Sequence, residues 1–428
     1  MGNEPIAETA PIPASHQAHK ARFFRESGWL MVAGVGSGVF MWGVHFLSKA
    51  IPESEYATLV TLLAVTMCIP AIPLQMVFTQ QTASALATHH ERPLAGKIHL
   101  AWIGTLVLWV LAALAVLLYQ QQILDRWHLQ NAAAVWVTLL VVLFNLWFPM
   151  FSGLMQGRQN FLWLGWATIF NGVVRLGAAA LIVLLISATA LGIMTGIAIG
   201  LTAAIAVSIW QTRGLWRGPA EPFDWRALLA QIVPLMLGFG ATQFLFSADM
   251  IFVQAYLPDH AAYYGAAGTL SRALVWLVAP LTFVMFPKVV HSFVRSEKTD
   301  VMGLTLLCTA ALAVVGVLGL WILGPWVVRI VYPPDYVAVA TGLLPWYAGA
   351  MLPLCLANVL VNNLLAKEGY RVVLPLMALA VVYGLVLANY HPSLVFILKT
   401  LGVFNLLLLL VCAAFTWGKA FQRPKPAA

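Results

Sequence analysis

LWLGWATIFNGVVRLGAAALIVLLI, residues 162–186, is an apolar run with a single charged residue, Arg175. As one helix it is long enough to cross the roughly 30 Å hydrocarbon core of a bilayer. Similar runs occur along the whole chain. The predicted spans are 28–48, 57–81, 98–120, 132–155, 162–186, 191–210, 228–254, 262–287, 301–324, 340–366, 372–389 and 394–417. The sequence therefore predicts an all-α polytopic membrane protein with about twelve transmembrane helices.

The composition supports this prediction. Of 428 residues, 61% are hydrophobic and 9% are charged, whereas soluble domains have about 45–50% apolar and about 25% charged residues. Soluble enzymes and secreted disulfide scaffolds are excluded. The 4 cysteines lie singly in apolar spans and predict neither disulfides nor a metal site. Internal prolines such as Pro70, Pro73 and Pro149 predict kinked helices, which membrane proteins tolerate.

Lysine and arginine are distributed unevenly between the two sets of loops. With the N-terminus inside, 17 of the 23 basic residues fall on the cytoplasmic side, 3 fall outside and 3 lie within spans. Cytoplasmic loops retain positive charge, so both termini are predicted to be cytoplasmic. The formal charge of +8 is then explained by topology, and we expect no nucleic-acid partner.

The spans divide into two sets of six. The predicted organisation is a cytoplasmic tail at 1–27, a bundle at 28–210, a cytoplasmic linker at 211–227, a second bundle at 228–417 and a cytoplasmic tail at 418–428. Residues 56–77 also align with 263–284, pairing Tyr56 with Tyr263. Parallel repeats of this kind enclose a central cavity in some transporters, so alternating access of such a cavity is the predicted mechanism.

Four ionisable residues lie inside predicted spans: Arg175, Asp249, Arg272 and Lys399. Each costs on the order of 2.5–3.5 kcal/mol at a helix centre, which makes a functional role the first hypothesis. Arg175 is too deep to reach either surface, so it either meets an anionic substrate in the cavity or bonds carbonyls at a kink. Lys399 is near a helix end, where extension of its side chain toward the interface is an alternative to substrate binding.

Asp249 and Arg272 lie on consecutive spans at depths that differ by about 7–8 Å. An arginine side chain bridges that difference, so the sequence predicts an ion pair. Two roles remain open for Asp249: ion coupling or gating, through H⁺, Na⁺ or a breakable pair with Arg272, and a static structural pair. Arg272 is likewise either a substrate-binding residue or a structural one.

Three cations and one carboxylate leave a charge of +2 within the predicted spans, which favours an anionic substrate. Asn171 lies one helical turn before Arg175 and is a second predicted substrate-binding residue, although bonding between helices is an equal alternative. No nucleotide-binding or hydrolase motif is present, and the loops are short. We therefore predict no catalytic residues, no metal and no cofactor beyond a coupling ion. Glu53 and Glu55 form an acidic pair that resembles the acidic motif of lipid-linked-sugar glycosyltransferases, but their predicted loop is short and offers no metal partners.

Several segments resemble a known family. GLMQGRQNFLWLGWATIFNGVVRLGAAALIVLL (153–185) is similar to the fourth and fifth helices of the polysaccharide-exporting branch of the multidrug/oligosaccharidyl-lipid/polysaccharide (MOP) exporter superfamily. The resemblance continues through 51–63, 246–290 and 332–371 and covers most of the chain. The first two spans lack basic residues, and there are twelve spans rather than fourteen, which argues against the branch that flips peptidoglycan precursors.

The resemblance implies a flippase in the bacterial inner membrane. Its substrate would be an undecaprenyl-diphosphate-linked oligosaccharide, such as an O-antigen precursor, and other polysaccharide-assembly proteins and membrane lipids would be its partners. In that interpretation Arg175 and Arg272 face the diphosphate and Asp249 occupies the acidic position of the seventh helix. The alternatives are an ion-coupled exporter (antiporter) of small amphipathic molecules and a membrane enzyme of polymer assembly.

Overall fold

The computed structural model describes the main chain of residues 14–88, 91–295, 301–366 and 369–418. Side chains are described in the same ranges except 14–27, 91, 279–295, 301 and 366. Residues 1–13 of the predicted N-terminal tail and 419–428 of the C-terminal tail lie outside these ranges. Lys298 and Lys367, which were counted as cytoplasmic, lie outside them too.

All regular structure in the described ranges is helical. The α-helices are α1 (Ala14–Gly43), α2 (Glu53–Met67), α3 (Ile72–Ala87), α4 (Glu91–Arg126), α5 (Ala132–Gly157), α6 (Phe161–Leu185), α7 (Ala190–Trp216), α8 (Trp225–Tyr256), α9 (Ala261–Arg295), α10 (Val301–Val331), α11 (Tyr336–Ala366), α12 (Val373–Asn389) and α13 (Leu394–Trp417). Short 3-10 helices lie at Val44–Lys49, Pro258–His260 and Tyr370–Val372.

Within the described residues, 11 segments are long and apolar enough to cross a membrane. α9 lies at the position of the eighth predicted span as one continuous helix, and only part of its side chains is described. Large hydrophobic side chains such as Leu118, Ile186 and Leu374 are 79–80% exposed on the outside of the bundle, as lipid-facing residues are. The prediction of an all-α polytopic membrane protein is confirmed.

The second predicted span, 57–81, is wrong as a single continuous helix. α2 ends at Met67 and α3 begins at Ile72. Pro70 lacks the amide hydrogen that an uninterrupted helix would use, and Pro73 lies in the first turn of α3, where proline is tolerated. The expected kink is therefore a four-residue break.

Side chains cap the starts of four of the described helices. Asn131, Thr189, Asp224 and Ser393 each accept a hydrogen bond from a main-chain amide in the first turn that follows. Such caps contribute about 1 kcal/mol each. The starts of α5, α7 and α13 agree with the predicted limits to within one residue, whereas α8 begins at Trp225, three residues before the predicted span at 228.

One set of packed helices consists of α1, α3, α5, α6 and α7. A second set consists of α8, α9, α10, α11, α12 and α13. α2 packs on α8 and α9 of the second set as well as on α5 and α7, and α3 also contacts α8. α7 ends at Trp216 and α8 begins at Trp225, so the connection between the sets lies inside the predicted linker. α1 begins at Ala14, inside the segment predicted as a tail.

Two glycines allow α6 and α7 to pack closely. A Cβ atom at Gly196 would lie 2.4 Å from the backbone nitrogen of Ala179. A Cβ atom at Gly200 would lie 2.6 Å from Cβ of Arg175 and 2.7 Å from the carbonyl oxygen of Asn171. Small residues permit this close approach in membrane helices. The backbone of α6 is thereby held in place beside its only charged residue.

Candidate functional site

A buried ion pair links α8 to α9. Nη2 of Arg272 donates to Oδ1 of Asp249 at 2.7 Å, and Nε of Arg272 donates to the carbonyl oxygen of Phe246 at 3.0 Å. Asp249 is fully buried and Arg272 is 7% exposed. The predicted ion pair is confirmed, since the depth difference between the two helices is bridged as expected.

Two tyrosines complete the surroundings of Asp249. Tyr264 of α9 donates to Oδ2 at 2.7 Å, and Tyr347 of α11 donates to the same oxygen. The Tyr347 hydroxyl would be 3.0 Å from a Cβ atom at Gly268, so a glycine leaves room for it. The carboxylate thus accepts three charge-assisted hydrogen bonds from two helices other than its own. We call Asp249, Arg272, Tyr264 and Tyr347 the carboxylate cluster.

Arg175 has different surroundings. It lies on α6, its Nε is buried, and its guanidinium has no hydrogen bond or ion pair with any residue that the structure describes. One turn earlier, Asn171 is 5% exposed and its buried Oδ1 also has no partner. The sequence prediction paired these two residues, and both have unused hydrogen-bonding capacity. Buried polar groups without partners are uncommon and call for an explanation.

The other predicted binding residues do not join Arg175. Arg272 is engaged by Asp249, and its guanidinium also lies over the Tyr347 ring at 5.5 Å. Lys399 is exposed and lies 5.1 Å from the ring centre of Trp346. The expected charge of +2 is therefore not concentrated at one place. Of the four charged residues, Arg175 alone has a buried nitrogen, Nε, that lacks a partner in the described chain, although its side chain as a whole is only half-buried.

A cluster of aromatic side chains joins the two sets of helices at one end of the bundle. It consists of His45, Tyr56, Tyr263, Tyr332 and Tyr336, and we call it the tyrosine junction. Tyr56 donates to the hydroxyl of Tyr332 at 3.0 Å, and Nδ1 of His45 lies 3.0 Å from the Tyr56 hydroxyl. Tyr332 and Tyr336 are stacked, and Tyr56 and Tyr263 both contact the Tyr336 ring.

Polar bonds beside the junction also cross between the two sets. Ser48 donates to the carbonyl oxygen of Val331 at 3.2 Å, and Lys49 donates to that of Ile330 at 2.6 Å. Tyr263 donates to Glu53 at 2.8 Å. In the predicted topology this end faces outward. The two halves are therefore closed against each other at the predicted outer side.

Sequence reasoning missed the buried tyrosines. An interfacial belt is the usual interpretation of tyrosines in a membrane protein, and it does not hold for five of the 11. Tyr56, Tyr264, Tyr332, Tyr347 and Tyr383 are all fully buried. A usable signal was present, because Tyr56 and Tyr263 are the first pair in the internal alignment.

The acidic pair lies in the first turn of α2, and each carboxylate accepts a hydrogen bond from another helix. Glu53 accepts from Tyr263, and Oε2 of Glu55 accepts from the main-chain nitrogen of Ala190 at 2.6 Å. Among the described residues, no group of three or more His, Cys, Asp or Glu side chains is placed to hold a metal ion. The two carboxylates stabilise helix packing and the start of α7.

The architecture matches that of known transporters. An inward-facing multidrug resistance MATE family transporter of the MOP superfamily matches with a TM-score of 0.70 at 11% identity, covering 90% of this chain and 94% of the other. The lipid II flippase MurJ in an inward closed conformation matches with a TM-score of 0.64 at 13% identity, covering 90% and 87%. A MOP superfamily transporter from Pyrococcus furiosus with a reversed binding-pocket polarity has a TM-score of 0.58 at 10% identity, covering 92% and 94%.

No protein-family model matches the chain, and no curated protein sequence matches it. The chain is a multi-pass membrane protein with the fold of the MOP superfamily. That fold is shared by the MATE transporters and by the lipid II flippase MurJ.

Proposed function

We propose that this protein is a non-enzymatic flippase that moves a lipid-linked oligosaccharide with a diphosphate group across the bacterial inner membrane. The undecaprenyl-diphosphate-linked precursor of a cell-surface polysaccharide is the proposed substrate, and alternating access driven by an ion gradient is the proposed mechanism. The observation that carries the proposal is the buried, unpartnered Nε of the half-buried Arg175, beside the unpartnered Oδ1 of Asn171.

An anionic substrate explains that arrangement. A buried charge without a partner is costly, because water is removed and nothing replaces it. A diphosphate supplies acceptor oxygens that match the planar donors of arginine. The hydroxyl groups of a glycan match the free Oδ1 of Asn171 as donors. Both unpartnered atoms are then satisfied by one ligand.

Closure at the tyrosine junction is consistent with transport from the cytoplasmic side to the outer side of the membrane. With the predicted outer side closed, the substrate enters from the cytoplasmic leaflet. Opening requires separation of Tyr56 from Tyr332 and of Lys49 from Ile330, because these contacts cross between the halves. For Asp249 we propose a role in ion coupling through the breakable pair with Arg272, with H⁺ or Na⁺ as the coupling ion.

Reconstitution tests this function directly. The protein is placed in liposomes with a fluorescent lipid-diphosphate-linked oligosaccharide, and arrival in the opposite leaflet is measured. We expect Arg175→Ala to reduce translocation at least tenfold while the protein still inserts and elutes as a single species. Arg213→Ala is the matched control, since Arg213 is exposed and its guanidinium interacts with Trp210 of its own helix. Equal translocation by both variants would overturn the role of Arg175.

A second function is favoured by the TM-score of 0.70 with a MATE family transporter. In that case the chain exports small amphipathic molecules by ion exchange. The two functions differ in substrate charge and size. If the liposomes extrude small amphipathic dyes against a gradient but leave the lipid-linked glycan in place, the exporter replaces the flippase.

A further inference from the structure

A pocket lies at the end of the bundle opposite the tyrosine junction. Its volume is about 260 Å³, and it is bounded by α3, the start of α4, the linker and the start of α8. The linker residues Pro222 and Phe223 form one wall. α8 runs roughly 45 Å from this pocket to the other end of the bundle. The pocket is therefore separate from the tyrosine junction, and neither Arg175 nor Asn171 lines it.

One wall of the pocket carries a positive charge and a chain of amides. Nζ of Lys97 donates to Oε1 of Gln81 at 2.6 Å, and Nε2 of Gln81 donates to Oε1 of Gln231 at 3.1 Å. Gln231 donates in turn to Gln80 at 3.0 Å. An ammonium group has three donors, and Gln81 takes one of them. Lys97 thus retains donors for a ligand.

The opposite wall carries a carboxylate. Oδ1 of Asp224 caps α8 by accepting from the main-chain nitrogens of Arg226 and Ala227. Oδ2 has no partner among the residues described. Lys97 and Asp224 do not form an ion pair with each other, and the nearby Arg92 is paired with Glu221 at 3.1 Å. The pocket therefore presents one cation and one anion that do not neutralise each other.

We propose that this pocket binds the zwitterionic head group of a membrane phospholipid of the phosphoethanolamine type. The phosphate lies at Lys97 and the amides of Gln81 and Gln231, and the ammonium lies at Asp224. Lys97 is six residues from the start of α4, and Asp224 directly precedes α8. Both positions lie near the ends of membrane-spanning segments, where we expect lipid head groups. Phe223 and Leu228 provide apolar contacts for the glycerol end.

The site spans the two halves, since Gln81 and Lys97 belong to the first and Gln231 to the second. A bound head group would hold the halves together at this end and favour the conformation in which the pocket exists, because a ligand shifts the population toward the state that it binds. This role does not depend on the identity of the transported substrate.

Native mass spectrometry of the whole purified protein with short-chain phosphatidylethanolamine tests the site. We expect phosphatidylethanolamine to bind at least tenfold more tightly than phosphatidylglycerol with the same chains. Lys97→Gln and Asp224→Asn should each weaken binding about tenfold, or about 1.4 kcal/mol. Glutamine still reaches Gln81, and asparagine still caps α8, so both variants are expected to fold.

Arg158→Gln is the matched control, because it removes an exposed positive charge at the same end, outside the pocket. It should leave the affinity unchanged. The proposal that the pocket recognises a zwitterionic head group would be wrong if phosphatidylglycerol bound equally well or more tightly. It would also be wrong if Asp224→Asn bound phosphatidylethanolamine as tightly as the unmodified protein does. If soluble phosphoethanolamine displaced the lipid at equal concentration, the proposal that the ligand is a membrane lipid would be wrong.

Discussion

The hydroxyl group of Tyr56 donates a hydrogen bond to that of Tyr332 across the interface between the two halves, over a distance of 3.0 Å. Both residues are buried, and their rings meet edge to face at 5.5 Å. Since Tyr56 gives its only hydroxyl proton to Tyr332, it accepts the proton of Nδ1 from His45. The 3-10 helix that carries His45 packs against α6, the helix of Arg175. The closed end of the bundle is therefore in packing contact with the helix that carries the proposed substrate site.

Tyr332→Phe should loosen this closure. The ring contacts remain, but the acceptor for Tyr56 is lost, at a cost of about 1 kcal/mol for a neutral buried hydrogen bond. We expect amide hydrogen exchange of peptides covering 44–56 and 330–340 to accelerate about fivefold. Tyr119→Phe is the control, because Tyr119 is 56% exposed. Unchanged exchange in Tyr332→Phe would show that ring packing alone holds this end.

Asp249→Asn should destabilise the protein strongly. Removal of one partner from a buried pair leaves the other charge uncompensated, which costs about 3–5 kcal/mol. We expect a clearly lower apparent melting temperature in detergent than for Asp259→Asn. Asp259 is the matched control because it is exposed, on the loop between α8 and α9.

The double variant Asp249→Asn/Arg272→Met distinguishes the two roles of the pair. It removes both charges and should recover most of the melting temperature. If the pair serves ion coupling, this variant transports without dependence on the ion gradient. If the variant transports as the unmodified protein does, with full gradient dependence, the pair is static.

Gly200→Ala should separate α6 from α7. Its Cβ atom would overlap Arg175 and the Asn171 carbonyl at 2.6 and 2.7 Å, and a backbone atom cannot move aside as a flexible side chain can. We expect a lower melting temperature. Gly177→Ala is the control, since nothing lies within 4 Å of its Cβ position, and alanine raises helix propensity by about 1 kcal/mol there. Equal melting temperatures for the two variants would contradict the close packing.

Both termini are predicted to be cytoplasmic from the 17 to 3 distribution of basic residues. Green fluorescent protein fused to the C-terminus should be fluorescent, and alkaline phosphatase fused there should be inactive. The same phosphatase inserted in the loop after Tyr256 should be active. The reverse pattern would invert the topology and place the tyrosine junction at the cytoplasmic side.

The sequence was sufficient for the spans and for the ion pair. A single long apolar segment has one stable conformation in a bilayer, the α-helix, because all its main-chain hydrogen bonds are then made within the segment. The contact between Asp249 and Arg272 followed from the rise per residue of two consecutive helices. The start of α8 after the cap at Asp224 was missed by three residues, because hydropathy does not detect hydrogen bonds at polar residues.

The tyrosine junction could not be predicted. Tyr56 and Tyr332 are 276 positions apart, and no local pattern records that their helices meet. The same holds for the unpaired state of Arg175, which depends on what α7 and the 3-10 helix at Val44–Lys49 place around it. Charge within a span was readable from the sequence, whereas the presence or absence of a partner required the packing.

The break between Met67 and Ile72 has a mechanical consequence. α2 is attached to α8 and α9 of the other half, whereas α3 is packed mainly on α5 of its own half. Force between the halves along this segment passes through four residues without continuous helical hydrogen bonding. Rotation about a few main-chain dihedral angles of those residues changes the angle between α2 and α3. Each of the two helices stays straight.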